Sequence, residues 1–369
     1  MAKSTKRTKF VVVGDSYTDY FCFIAGDRLP SAGEDAILQD PIRRFAGGSP
    51  INTATHLQAL LLLEADADDQ HVVTVQTVIN EEDQDGKLLL QHAASHGFEL
   101  VNCCRDNTSG GVTPHCVVMV TGEDRTFLTH SGCASSWTAA DVILPSSDET
   151  SSCHVHVAGY YSTPGFLRDK SLFRAIQKWK GGDKKQSDTH LTVSLVTQFD
   201  VTGEWDGGLV TELMPLLDML IMNEQEATSI MQKNQCSTTT GSSEIHENKL
   251  MIEDWMSFFS EPNVIFVVTM GSSGAVVFQN QSLIAQYCAP LQQTTARVVD
   301  PTGAGDAFAS GFLHGFFNIL PRGQIDRALE WGCCVGSASV CVEGASTNIS
   351  PELLQELLGH AKAGARGCG

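Results

Sequence analysis

Short β-rich runs, several of them apolar on successive residues, recur along this chain and alternate with stretches of helical periodicity, and that alternation most constrains what it can fold into. The runs fall at residues 10–13, 72–78, 154–157, 191–196, 219–222 and 264–269. Strands with apolar residues on successive positions are buried on both faces, as in a mainly parallel sheet covered by helices. Helical patterning occupies residues 51–64, 86–96, 166–179, 224–232 and 304–319. Together they predict a doubly wound α/β architecture with helices on both faces of the sheet.

Two regions break the rhythm, residues 21–45 and 112–130. In the second, the alternating segments 116–120 and 125–129 flank a turn at Thr121-Gly-Glu-Asp. A small β-sheet built from both regions is expected, placed to close over a bound molecule as a lid. The polar stretches 65–70, 181–189 and 233–249 read as surface loops, and no internal repeat is evident.

Length leaves one large α/β domain or two ordinary ones open, since the chain has 369 residues. Acidic residues outnumber basic ones by 43 to 24, giving a net charge of -19. Such a surface repels a phosphate backbone, which argues against nucleic acid as a partner. It also repels a free nucleotide, so a nucleotide site here must gather backbone N–H groups, a helix N-terminus and a metal ion locally.

The 12 cysteines include the vicinal pairs Cys103-Cys104 and Cys333-Cys334 and no C-x-x-C spacing. Neither a disulfide framework nor a zinc site is indicated, and free thiols suit a reducing compartment. Residues 1–9 are basic but lead only into a short apolar run, without a signal-peptide core, and no apolar stretch reaches membrane-spanning length. The expected location is therefore intracellular, either the cytoplasm or an organelle, with no membrane partner.

The sharpest local pattern is Val298-Val-Asp-Pro-Thr-Gly-Ala-Gly-Asp-Ala-Phe-Ala-Ser-Gly-Phe, a strand end running through a glycine-rich turn into an apolar helix. Gly303 and Gly305 permit close backbone approach, and the N–H groups around Ala304, Gly305 and Asp306 would face an anion. Asp306 falls in the first helical turn, where the dipole favours its ionised form and lets it accept a proton from an attacking alcohol. The same residues also satisfy a plain tight turn ending in a helix-terminal acid.

Asp300 to Asp306 matches throughout the second signature of the ribokinase-like (PfkB) kinases, Asp-Thr/Pro-x-Gly-Ala-Gly-Asp, and the chain resembles that family at these residues. The resemblance implies a ribokinase-like domain over residues 10–358, with the lid from about 21–45 and 112–130 and tails at 1–9 and 359–369. It implies phosphorylation of a sugar, nucleoside or related alcohol by ATP and Mg2+, with Asp306 as base and the Gly303, Ala304 and Gly305 backbone as anion hole.

Further segments resemble the family in the order it requires. Arg44-Phe-Ala-Gly-Gly-Ser-Pro-Ile-Asn-Thr-Ala is similar to the first signature through Gly47, Gly48 and Asn52, although Ser49-Pro50 departs from many sugar kinases. Gly14-Asp-Ser-Tyr-Thr-Asp19 resembles the opening segment, which makes Asp19 the substrate ligand and Asp15 the alternative. Leu29-Pro-Ser-Ala-Gly-Glu34 resembles the Pro-Gly-Glu turn. Met222-Asn-Glu-Gln-Glu226 is similar to the Asn-x-x-Glu motif, which implies that Asn223 and Glu226 serve Mg2+ and phosphate, partly through water. A helix-capping Asn with first-turn acids would read the same way.

By the same resemblance Thr269, Gly271 and Gly274 lie near ATP together with Asn223, Gly303 and Gly305. Asp300 and Thr302 would help hold K+ near Glu343-Gly-Ala-Ser-Thr, and a turn-stabilising role fits them equally. Tyr17, Phe21 and Phe23 are candidates either to stack on a nucleobase or to pack the lid.

Two other classes fit the sequence less well. A catalytically idle nucleotide- or sugar-binding regulatory subunit conflicts with the presence of Asp306, Asn223 and Glu226. An NAD-dependent dehydrogenase needs Gly-x-Gly-x-x-Gly after the first strand, where this chain has Gly14-Asp-Ser-Tyr-Thr. An exposed lid edge points to a homodimer.

Overall fold

The structure is a computed structural model that describes residues 8–26, 28–64, 73–103, 111–121, 124–144, 152–181, 191–205, 208–235, 248–319 and 321–364. Among these residues the strands are β1 Thr8–Val13, β2 Tyr17–Phe23, β3 Arg43–Gly47, β4 Val73–Thr77, β5 Glu99–Asn102, β6 His115–Thr121, β7 Asp124–His130, β8 Ser152–Ala158, β9 Leu191–Val196, β10 Met219–Asn223, β11 Ile265–Thr269, β12 Ala275–Gln279 and β13 Ser282–Tyr287. The α-helices are α1 Ser49–Glu64, α2 Gln84–His96, α3 Pro164–Leu167, α4 Ser171–Gly181, α5 Glu224–Asn234, α6 Asn248–Phe258, α7 Ala304–Phe317, α8 Ile325–Ser339 and α9 Pro351–Gly364.

Nine strands form one sheet in the order β13-β12-β11-β10-β9-β8-β1-β4-β5. Every pairing from β5 to β11 is parallel, and β12 and β13 add an antiparallel hairpin at one edge. From β1 the chain builds outward to β4 and β5, then returns to lay β8 on the other side. That reversal opens a crevice at the carboxyl ends of the strands, where open α/β sheets bind ligands.

Strand alternation sends neighbouring residues into two different cores. Val11, Val13, Val155, Val157, Leu220 and Phe266 pack with Leu172 and Ile176 of α4, Ile230 of α5 and Trp255 of α6. Phe10, Val12, Val73, Ile221 and Val267 pack on the opposite face with Ile51 and Leu57 of α1, Leu89 of α2, Phe312 of α7 and Leu329 of α8. At about 25 cal/mol per Å² of buried apolar surface, two such layers supply the main drive to fold.

The expected small sheet is present as β3-β2-β6-β7, with β2 and β6 parallel and the outer pairs antiparallel. Phe21, Cys116, Val118 and Val120 form its own core, with Phe23 and Phe45 against it. Phe21 and Phe45 meet edge to face at 5.3 Å, so Phe21 is used in packing.

Several sequence boundaries shift. The single helix expected over residues 166–179 is broken, because Asp169 and Lys170 adopt φ of 50° and 54° between α3 and α4. The stretch 233–249, expected as loop, contains the end of α5 and the start of α6; its residues 236–247 lie outside the described ones, as do 65–70 and 182–189. The β12–β13 hairpin escaped the sequence reading because Asn280 and Gln281 make its turn, at φ 51° and 59°, without the usual glycine.

Candidate active site

The glycine-led turn does initiate a helix. Gly303 holds φ 74°, and a Cβ there would lie 2.5 Å from the Cβ of Ala345, so both conformation and space require glycine. The Ala304 N–H turns back to the Pro301 carbonyl at 3.3 Å, and Ala307 N–H opens the helical ladder on Gly303. Gly305 and Asp306 then carry N–H groups without an intrahelical acceptor, as the first turn of any helix does. A Cβ on Gly305 would meet nothing within 4 Å, because that face lines a cavity.

The Asp306 carboxylate is buried and held by side chains from two other elements. Its Oδ1 accepts from the Ser49 hydroxyl at 2.5 Å and from Gln198 Nε2 at 3.1 Å, and its Oδ2 accepts from Asn52 Nδ2 at 2.8 Å. Burial raises its pKa to about 6, opposed by the hydrogen bonds from Ser49, Asn52 and Gln198, while the negative Glu226 adds to the rise. Asn52, expected to grip substrate, thus donates to Asp306, and its own Oδ1 is left without a partner. Ser49 and Gln198 were not anticipated. Gln198 leaves a trace only in the structure, a non-glycine residue at φ 59° just after β9.

Asp19 lies on β2 opposite Phe45 of β3. Its carboxylate fills the space a Gly47 side chain would need, since a Cβ there would approach Asp19 Oδ2 to 2.0 Å. Gly48, at φ 88°, lets the start of α1 approach the Asp15 carbonyl, which a Cβ would meet at 2.6 Å. Burial, with Asp300 and Asp306 nearby, raises Asp19 to about 7. No hydrogen bond to its carboxylate occurs among the described residues. Asp15, the alternative ligand, accepts instead from Tyr17, from Ser162 at 3.1 Å and from Thr163 at 3.0 Å, which also commits Tyr17 to that cluster.

Asn223 caps α5 in a reciprocal capping box with Glu226. Glu226 Oε2 accepts from Thr197 Oγ1 at 2.6 Å and from Asn223 N–H at 3.1 Å, while Oε1 accepts from Asn223 Nδ2 at 2.8 Å. Burial raises the Glu226 pKa despite those bonds. With both oxygens engaged, the pair fits a Mg2+ ion reached through water better than one bound directly. Both residues face a cavity of about 200 Å³ shared with Gln198, Thr269, Gly303 and Asp306.

A second cavity, of about 370 Å³, adjoins the first through Thr269, Pro301, Ala304 and Gly305 and runs past Gly271 and Gly274 to Phe308 of α7. Gly274 adopts φ 97°, and a Cβ there would strike the Tyr287 carbonyl at 1.9 Å. The expected nucleotide residues therefore line these two adjoining cavities, the first of which reaches the Asp306 carboxylate.

Asp300 and Thr302 do not form an open cation site. Asp300 Oδ1 accepts from Thr302 N–H at 2.9 Å and pairs with Arg125 Nη2 at 3.1 Å, and Oδ2 accepts from Gly344 N–H at 3.0 Å. The buried Thr302 hydroxyl has no partner, but one hydroxyl does not make an oxygen cage. No cluster of three or more metal-ligating side chains occurs among the described residues, and no helix among them is long and apolar enough to cross a membrane.

An adenosine kinase of Dictyostelium discoideum is 24% identical over 251 residues, 67% of each chain. The fold is similar to that of a Methanocaldococcus jannaschii nucleoside kinase, at TM-score 0.66 and 17% identity over 96% of this chain and 99% of that one. It is equally similar to a ribokinase of Cryptococcus neoformans var. grubii serotype A in complex with ADP, at TM-score 0.67 and 18% identity over 95% of this chain and 98% of that one. Residues 7–353 match the pfkB family carbohydrate kinases, and the chain belongs to that family.

Proposed function

We propose that the chain transfers the terminal phosphoryl group of ATP to a hydroxyl of a small sugar or sugar-like molecule, with Asp306 as the general base. Membership of the pfkB family makes it a sugar- or nucleoside-type kinase, a phosphotransferase with a hydroxyl acceptor. The observation that carries the finer reading is the position of Asp306. It is an acid at a helix N-terminus, turned into a cavity, beside N–H groups without helical acceptors.

The acceptor would lie between Asp19 on the small sheet and Asp306 on α7. Asp19, without a hydrogen-bond partner among the described residues, accepts hydrogen bonds from acceptor hydroxyls, and the N–H groups of Gly305 and Asp306 face the charge developing on the transferred group. Asn52, Ser49 and Gln198 hold the Asp306 carboxylate in line, so that it receives the hydroxyl proton as the oxygen–phosphorus bond forms. Glu226 and Asn223 would hold Mg2+ through water, and the ion would supply screening of phosphate charge there. The larger cavity beyond Thr269 takes the nucleoside end of ATP.

A nucleoside acceptor is the second reading, favoured by the likeness to an adenosine kinase. Phe21 and Phe23 give it no support, since both pack within the small sheet. For the assembled protein we propose a homodimer through the β7 edge of the lid, where Phe127 and Leu128 are 53% and 56% exposed.

Screening free sugars and nucleosides with MgATP for ADP release tests the assignment. Acceptor-dependent release from one class is the expected result and names the substrate. Release with neither class, from protein that binds MgADP, would contradict the transfer reading.

A further inference from the structure

We infer that the guanidinium of Arg125 takes the place of a monovalent cation beside Asp300, so that nucleotide binding by this chain does not depend on potassium. The inference rests on the kinase reading above.

Arg125 projects from β7, opposite Val120 in the small sheet. Its side chain is 15% exposed and that of Asp300 only 4%, so the pair meets away from bulk water. Such a pair is screened far less by salt than a surface pair. Asp300 has about four lone-pair sites, and three donors already claim three of them: Thr302 N–H, Gly344 N–H and the guanidinium. A hard cation needs several free oxygens around it. At Asp300 it would find N–H groups and a fixed positive charge instead.

The consequence reaches the nucleotide site through the chain itself. Asp300 precedes the turn that carries Gly303 and Gly305, and its bonds to Thr302 and Gly344 tie that turn to the loop after α8. A charge beside Asp300 therefore sets how the turn presents its N–H groups. A second ion pair from the small sheet, Arg43 Nη1 to Glu343 Oε1 at 2.6 Å, reaches the same loop, but its partners are 41% and 33% exposed. It serves as a control, because it joins the same parts without touching Asp300.

The test is calorimetric titration of MgADP into the whole protein in potassium, sodium and choline chloride at equal ionic strength. Wild type is expected to bind within about twofold in all three salts, too small a spread to signal an allosteric coupling. Arg125→Ala opens a cation-sized space beside Asp300, and its affinity should become at least about fivefold weaker in choline than in potassium. Arg43→Ala should behave as wild type.

Wild-type binding that is at least about fivefold tighter in potassium than in choline overturns the inference. So does an Arg125→Ala protein that binds equally in all three salts. Failure of folded wild type to bind MgADP in any salt overturns the kinase reading itself, which keeps the two failures apart.

Discussion

Asp15 and Asp19 lie on the same short segment, and burial raises both pKa values, to about 6 and about 7. By titration alone they are near twins. Their surroundings differ: hydroxyls of Tyr17, Ser162 and Thr163 saturate Asp15, whereas no hydrogen bond reaches the Asp19 carboxylate among the described residues. Asp15 is a keystone joining the end of β1 to the segment after β8. Asp19 is left with unspent acceptor capacity against Gly47. A raised pKa therefore marks burial, and unspent hydrogen-bonding capacity marks the group that can bind something.

Asp306 falls between these extremes, since three side-chain donors hold it and a cavity still reaches it. Asp306→Asn should cause the largest effect, a loss of about a thousandfold or more in turnover, within the scale of general-base and charge-stabilising contributions. MgADP affinity, measured by calorimetry, should stay within about threefold of wild type.

The same variant should be more stable than wild type at pH 8. Burial raises the folded-state pKa above the value of 3.8 for an unperturbed carboxyl. The fold thus favours the neutral form, and the stability this group contributes is lost as pH rises through about 6. An amide mimics the neutral form, and Asn52, with a free Oδ1, can turn to accept from it. The Tm advantage measured at pH 8 should vanish at pH 4.

Gly305→Ala comes next. A Cβ there enters open space, so folding should be normal or slightly better in a helix, while turnover drops about a hundredfold as the methyl group intrudes where phosphate must approach. Gly303→Ala is the contrasting case, in which strain and the Ala345 contact lower Tm first.

Asp19→Asn should lower kcat/KM about ten- to hundredfold, the worth of charged hydrogen bonds to an acceptor, with KM carrying most of the change. Asp15→Asn sharpens the comparison from the other side. Its kcat/KM should stay within about tenfold of wild type, with the damage seen in Tm, because its partners are structural hydroxyls. Equal kinetic losses at residues 15 and 19 would erase the distinction drawn between them.

The sequence was most legible where local rules and tertiary demands coincide. The apolar runs at residues 10–13 and 219–222 became central strands because burial on both faces leaves few other options. The glycine at 303 was readable because a left-handed turn and a tight contact both demand it. The small sheet was foreseen from its breaks in rhythm. What stayed hidden depends on partners far apart in sequence. Ser49 and Gln198 meet Asp306 from 257 and 108 residues away, and Arg125 crosses from the small sheet to Asp300. Nothing local in Thr197-Gln198-Phe199 or Asp124-Arg125-Thr126 signals those meetings. Strand β13 was missed for another reason, since as an edge strand it exposes most of its side chains and shows little apolar patterning.

The dependence of kcat on pH, measured with saturating MgATP and acceptor, bears most directly on Asp306 as the proton acceptor. Ionisation is required for that role, so kcat should hold steady above pH 7 and fall about tenfold per unit below about pH 6, the folded-state value for this carboxyl. A kcat that stays level down to pH 5, with the protein still folded, would contradict it.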